Sequence, residues 1–245
     1  MEQKITWIGH GSWKFVTKAG TVVYVDPYIE GNPACKITME DTLDADIVCV
    51  THGHDDHIGA GNSIDIAMNA KAVFVSIADI CAYAEQYGIP YDDGGGALGI
   101  GGKVHLKDCT IHCVEALHTS GIWGYEWKKE RKMMPGEGCC GFVITPDDGD
   151  PVYFAGDTGV FMDMELIGKL YKPLVAVLPV GDKYVMGLEE AACAAEMIRA
   201  KYVVPGHHST WEPIKQDIGE LKKLVAVRAP YAEVVDIKPG ETFTF

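Results

Sequence analysis

Thr51-His52-Gly53-His54-Asp55-Asp56-His57-Ile58-Gly59 gathers three imidazoles and two carboxylates within six residues, directly after the apolar run Ile47-Val48-Cys49-Val50. That run has the length and β-branched content of a buried strand, so the motif falls on the loop that leaves it. Imidazole and carboxylate together suit Zn²⁺, Mn²⁺ or Fe²⁺. His52 and His54 are two apart, so an extended or tightly turned segment aims both the same way. Asp56 and His57 follow at once, and a turn directs them at a second ion beside the first. A merely solvated loop has no use for so many imidazoles.

Two ions need more donors than one loop supplies. The chain offers three more, each after a strand-like run: His118 after 111–117, Asp157 in Gly156-Asp157-Thr158 after 152–156, and His207 after 202–206. Ligands at strand ends fit the rule that α/β sheets carry their sites on the loops beyond the strand termini.

The series His-x-His-x-Asp-His, His, Gly-Asp-Thr, His resembles the ligand order of the metallo-β-lactamase superfamily. Further stretches are similar to its ascorbate-6-phosphate lactonase-like branch, whose members are often described only as metal-dependent hydrolases. They are Ile8-Gly9-His10-Gly11-Ser12, Val25-Asp26-Pro27-Tyr28 with Gly31-Asn32-Pro33, Ile100-Gly101-Gly102, Ala155 to Gly159, Leu178-Pro179-Val180-Gly181 and Met186-Gly187. The likeness spans nearly the whole chain. It implies a first metal on His52, His54 and His118, a second on Asp56, His57 and His207, and Asp157 bridging both. It also implies a hydroxide between the ions as nucleophile, with Asp56, Asp157 and His10 in the catalytic machinery. Flavodiiron oxidoreductases of the superfamily usually carry Glu where this chain has His54, which favours hydrolysis over redox chemistry.

With 245 residues, 47% of them hydrophobic, the chain suffices for one well-cored domain, expected over 1–245. The net charge of −14, without a basic stripe, weighs against general nucleic-acid or anionic-membrane binding. No run approaches the ~18 apolar residues of a membrane span. The N-terminal segment has no signal-peptide core, so the cytoplasm is the expected location. The eight cysteines lack any Cys-x-x-Cys pair and read as reduced small hydrophobes. Gly9-His10, Gly53-His54 and Gly206-His207 repeat a Gly-His turn, a faint echo of internal duplication.

Strands are expected at 5–8, 13–16, 21–25, 234–237 and 242–245, and helices at 77–87, 164–170, 188–200 and 213–227, the last with Pro213 in its first turn. This order suits two mixed sheets face to face with helices outside. The resemblance sharpens it to the four-layer αβ/βα sandwich, an α/β fold with the metals at one edge of the sheets.

Several residues carry two readings. Asp26 either hydrogen-bonds a ligand imidazole or merely starts a turn before Pro27. His10 either lines the pocket or is a satisfied surface histidine. His208 either donates to substrate or points away from its neighbour His207. His105 and His112 fall in strand patterns and read as structural. Lys183 and Tyr184 are candidate substrate contacts, although Val185 stands where the branch commonly has Thr. Residues 121–140 read as a long loop without regular structure, rich in aromatics and holding Lys128-Lys129-Glu130-Arg131-Lys132. It is expected to be a lid whose cations recognise phosphate or carboxylate, or else a solvated loop or oligomer contact.

The combined reading is a hydrolase with two divalent ions, Zn²⁺ or Mn²⁺, acting on a small lactone or ester that could be anionic. A phosphodiester ranks second, and a metal-dependent redox enzyme or a non-catalytic metal-binding protein remains an alternative from another class. The branch likeness suggests homo-oligomers, without an interface signature in the sequence.

Overall fold

The strand-like runs pair into two seven-stranded sheets in the computed structural model, which describes residues 1–136 and 138–245. The first half of the chain supplies β1 (Lys4–Gly9), β2 (Ser12–Val16), β3 (Val22–Val25), β4 (Ile47–Val50), α1 (Asn62–Ala70), β5 (Val73–Ile77), α2 (Ala78–Glu85) and β6 (Ala97–Leu98). The second half supplies β7 (Lys103–Leu106), β8 (Cys109–Glu115), α3 (Tyr125–Glu130), β9 (Cys140–Pro146), β10 (Val152–Phe154), α4 (Met164–Tyr171), β11 (Val175–Pro179), α5 (Leu188–Ile198), β12 (Tyr202–Gly206), α6 (Ile218–Arg228) and β13 (Glu233–Val234). The last strand, β14 (Thr242–Thr244), returns to pair with β1.

The sheet orders are β14-β1-β2-β3-β4-β5-β6 and β7-β8-β9-β10-β11-β12-β13. In both, the first four strands pair antiparallel and the last four parallel. The two halves therefore repeat one topology. The Gly-His turns do not mark that repeat: they follow β1, β4 and β12, whose counterparts are β8, β11 and β5.

Side-chain alternation separates the layers. Val152, Phe154, Val175 and Val177 join Ile5, Phe15, Val23 and Ile47 in one core between the sheets. Their neighbours Tyr153, Ala176 and Leu178 point the other way, into a second core with α4, α5 and α6. Strands buried on both faces need continuous apolar runs, which is why β4, β10 and β11 lack polar residues. This is the expected architecture of two mixed sheets with helices. Among the described residues, no helix is long and apolar enough to cross a membrane.

Two expectations are corrected. The helix expected at 213–227 starts instead at Ile218, where the Asp217 side chain accepts from Gly219 N–H. Pro213 belongs to a separate 3-10 turn at Glu212–Ile214, and extended Lys215 breaks the path between them. Residues 121–140, of which Glu137 lies outside the described residues, are not structureless. They contain α3 and an antiparallel bridge between Ile122 and Met134. The aromatics build this order, because Tyr125 donates to Asp65 and the Tyr83 and Tyr87 hydroxyls both donate to Glu126.

Candidate metal centre

The loops leaving β1, β3, β4, β8, β10 and β12 meet at one edge of the two sheets. Backbone bonds bring them together: Cys140 N–H donates to Thr51 O at 2.9 Å, and His207 N–H to His10 O at 3.0 Å. Leu117 N–H donates to the Thr158 hydroxyl at 3.0 Å, which sets His118 beside Asp157. His10, Asp26 and His207 all hold positive φ, of 57°, 49° and 51°. That conformation costs a non-glycine residue about 1–3 kcal/mol, and such strain collects at functional sites.

Two donor groups result. In the first, His54 Nδ1 lies 3.0 Å from His52 Nε2 and 3.3 Å from His118 Nε2. In the second, His207 Nε2 stands 3.7 Å from Asp56 Oδ2. Asp157 lies between the two groups. Its Oδ2 is 3.1 Å from His207 Nε2, 3.6 Å from His118 Nε2 and 4.0 Å from His52 Nε2, while its Oδ1 is 3.2 Å from His57 Nε2. Every residue expected to ligate is thus brought to this edge.

The donor set fits a metal on physical grounds. His57 Nε2, His207 Nε2 and Asp157 Oδ1 are buried without any hydrogen-bond partner among the described residues. A buried orphan costs about 1–3 kcal/mol, so three that converge call for a shared partner. Imidazole nitrogens that crowd within 3.0–3.3 Å cannot all donate to one another, whereas a cation accepts all their lone pairs. His52, His54 and His118 with one group, and His57, His207 and Asp56 with the other, would hold ions, with Asp157 shared.

The electrostatics agree. Burial, with the neighbouring imidazoles, drives His52 well below its usual pKa and His54 down to about 4. Both stay neutral, as a ligand must. Burial opposes protonation of His57 and His207 too, but Asp157, with Asp26 or Asp56, outweighs it. The metal-free His57 is raised well above the normal value and His207 up to about 9. Burial likewise opposes ionisation of Asp157 and Asp56, yet the facing imidazoles hold both well below the usual carboxylate range. The protons on His57 and His207 stand in for positive charge that a cation would supply.

Asp26 is the organiser behind the donors, buried to 1% exposure. It accepts from His57 Nδ1 at 2.9 Å, from Thr51 N–H at 2.7 Å and from the Thr51 hydroxyl at 2.6 Å. Having spent its own proton on Asp26, the Thr51 hydroxyl accepts from His52 Nδ1 at 3.0 Å. One carboxylate thereby fixes the tautomer of a histidine in each group, leaving both Nε2 lone pairs free. The sequence reading missed Thr51, whose one signal is its position immediately before the motif.

His10 does not line the cavity above the donors. It is buried behind Asp56, with Nε2 2.8 Å from Asp56 Oδ2 and Nδ1 2.9 Å from the Thr210 hydroxyl. It is a positioning residue, since it reaches the site through Asp56. His208 also turns away. Its ring packs on Trp7 at 5.0 Å, and it borders a separate cavity near Asp236 and Lys238.

The cavity over the donors has a volume of ≈ 330 Å³. Besides ligand residues it is lined by Asp55, Thr119, Trp123 and Tyr184. Trp123 packs on His54 at 5.0 Å and on Trp127 at 4.5 Å, so the segment after His118 does overhang the site. Its cations do not line the cavity as expected: Lys128 pairs with Glu30 at 3.2 Å and Arg131 lies on Trp127 at 5.1 Å. Lys183 is not a lining residue either, and stands 5.3 Å over the Tyr184 ring. His105 pairs with Asp147 and His112 packs on Tyr171, both away from the site.

In sequence and fold the chain is similar to known metal-dependent hydrolases. Residues 4–207 match the family model described as a beta-lactamase superfamily domain. A UPF0173 metal-dependent hydrolase of Methanosphaera stadtmanae is 38% identical over 242 residues, 98% of each chain. Igni18, a novel metallo hydrolase from the hyperthermophilic archaeon Ignicoccus hospitalis, is 36% identical with a TM-score of 0.84, covering 100% of this chain and 99% of that one. The metallo-beta-lactamase fold protein YhfI from Bacillus subtilis shares the fold at 15% identity, with a TM-score of 0.72 over the whole of both chains.

Proposed function

The chain belongs to the UPF0173 metal-dependent hydrolases of the metallo-β-lactamase superfamily, and from that premise we propose that it carries two divalent ions, Zn²⁺ or Mn²⁺, and hydrolyses a small ester or lactone. The observation that carries the reading is the position of Asp157 between two imidazole groups, with a buried oxygen that finds no partner in the protein. A carboxylate with two oxygens is the side chain that can serve two cations at once. When bound, such ions lower the pKa of water toward 7 and polarise a carbonyl oxygen.

The chain's own residues supply the rest. Asp26 and Thr51 hold His57 and His52 in the tautomers that present Nε2. His10 steadies Asp56, donating through Nε2 while Nδ1 accepts from Thr210. Trp123, packed on Trp127, forms one flank of the cavity. A phosphodiester is served less well, because among the described residues no lysine or arginine lines the cavity.

The test is hydrolysis by the metal-loaded protein across lactones, aryl esters, phosphodiesters and β-lactams, beside Asp157→Ala. Turnover of esters or lactones that disappears in the variant is expected. Full ester turnover by metal-stripped protein would defeat the proposal.

A further inference from the structure

Asp55 is the one acid of the opening motif that stands in none of the donor clusters, yet it lines the cavity with Trp123 and Tyr184. Its orientation is fixed from outside. Oδ2 accepts from Trp127 Nε1 at 2.8 Å, and Trp127 is wedged between Trp123 and the Arg131 guanidinium. Among the described residues, no donor of another residue reaches Oδ1, and no lysine, arginine or histidine pairs with Asp55 within 4.0 Å. Arg131 makes no ion pair with Asp55 and lies 5.1 Å over the Trp127 ring.

Asp56 and Asp157 would face the ions, which would offset their charges. Asp55 stands outside the donor clusters and in no ion pair among the described residues, and it leaves the cavity with a negative group beside aromatic faces. A carboxylate next to indole and phenol rings is the combination that recognises an ammonium, by ion pairing and by the ring quadrupole.

We infer that Asp55 is a specificity residue, and that the substrate carries a positively charged amine held by Asp55 and Trp123 while its ester group lies over the donors. The inference rests on the ester-hydrolase reading for the second half of that statement only. It replaces an anionic substrate with a cationic one.

The first experiment needs no turnover. Benzyltrimethylammonium, which can neither coordinate a metal nor be hydrolysed, is titrated calorimetrically into the metal-loaded protein and into its Asp55→Asn variant. Asn keeps the size and an oxygen for Trp127, so folding and metal content are expected unchanged. Binding should weaken about tenfold in the variant, the scale of one partly desolvated charge pair. Trp127→Phe, which keeps the charge and frees its orientation, should weaken it by less. Equal binding to wild type and Asp55→Asn would overturn the inference.

The second experiment compares the p-nitrophenyl esters of 4-aminobutyrate, pentanoate and succinate. The wild type should prefer the cationic ester in kcat/KM over the neutral and anionic ones, and Asp55→Asn should erase that preference. Turnover without charge preference in the wild type would sink cation recognition and leave the hydrolase standing. Asp55-dependent binding of the quaternary ammonium without turnover of any ester would do the reverse.

Discussion

Replacing Thr51 with Val should weaken one donor group far more than the other. Val keeps the β-branched shape and removes only the hydroxyl, which donates to Asp26 at 2.6 Å and accepts from His52 Nδ1 at 3.0 Å. His52 is fully buried, so its Nδ1 proton would have no partner, at about 1–3 kcal/mol. The ring can escape that cost by moving the proton to Nε2, but it then aims N–H at His54 and stops being a ligand. By either route the His52, His54 and His118 group should lose about 10–100-fold in metal affinity, the usual effect of removing an outer partner of a ligand. That is about 1.4–2.7 kcal/mol. The direct bond between Asp26 and His57 remains, so the group with His57, His207 and Asp56 should change by less than about threefold. Competition against a chromogenic chelator resolves the two steps. In the metal-free protein, about 2 kcal/mol in a chain of this size corresponds to a loss of about 6 °C in Tm. Equal weakening of both steps, or of neither, would refute the relay from Asp26 through Thr51.

Other consequences follow from the same geometry. A Cβ added at Gly11 would stand 2.6 Å from Cε1 of His57. Gly11→Ala should therefore push that ligand off its position and cut metal affinity at the His57 group by at least tenfold, and an unchanged titration would count against the placement of His57. Trp123 packs on His54 without ligating, so Trp123→Ala should retain full metal content by elemental analysis while kcat/KM falls about tenfold or more as the cavity opens to water; loss of metal instead would make Trp123 structural. In the metal-free protein His207 is raised to about 9: burial opposes its proton, and Asp157 and Asp56 outweigh that. A raised folded pKa contributes stability that is complete below the unfolded value near 6.5 and is lost as pH rises through about 9. Metal-free protein should therefore lose Tm between pH 6.5 and 9, whereas loaded protein, with His207 neutral throughout, should not. A flat metal-free profile across that window would contradict the ion pair.

The apolar runs, and the donors placed after them, were legible because both depend on local pattern. A strand buried on two faces must be apolar at every position, so β4 and β12 announce themselves, and the ligands come next in sequence. The helix at Ile218 was misplaced because Pro213 is compatible with a first turn, and only the Asp217 cap, with extended Lys215 before it, decides the start. The segment after His118 hid its order because α3 is held by contacts from α1 and α2, through Asp65 and Tyr83, that no local pattern encodes. The same holds for its charges. Lys128 and Arg131 are engaged by Glu30 and Trp127, partners 98 residues and four residues away, so two cations of the cluster are held away from the cavity.

The repeated topology gives the site its logic. Matching the sheets strand for strand sets β3 against β10 and β1 against β8. Asp26 leaves β3 as Asp157 leaves β10, and His10 leaves β1 as His118 follows β8. The two aspartates grip His57 from opposite sides, at Nδ1 and Nε2, at 2.9 and 3.2 Å. Equivalent places in the two halves have thus taken unequal tasks. Asp26 is closed off by three donors and can only orient, whereas Asp157 keeps an oxygen free for a cation. His10 is satisfied at both nitrogens, by Asp56 and Thr210, while His118 offers Nε2 to the first donor group. The difference lies in the partners. Thr51 stands where its N–H and hydroxyl saturate Asp26, whereas no donor of this kind closes Asp157 Oδ1 among the described residues.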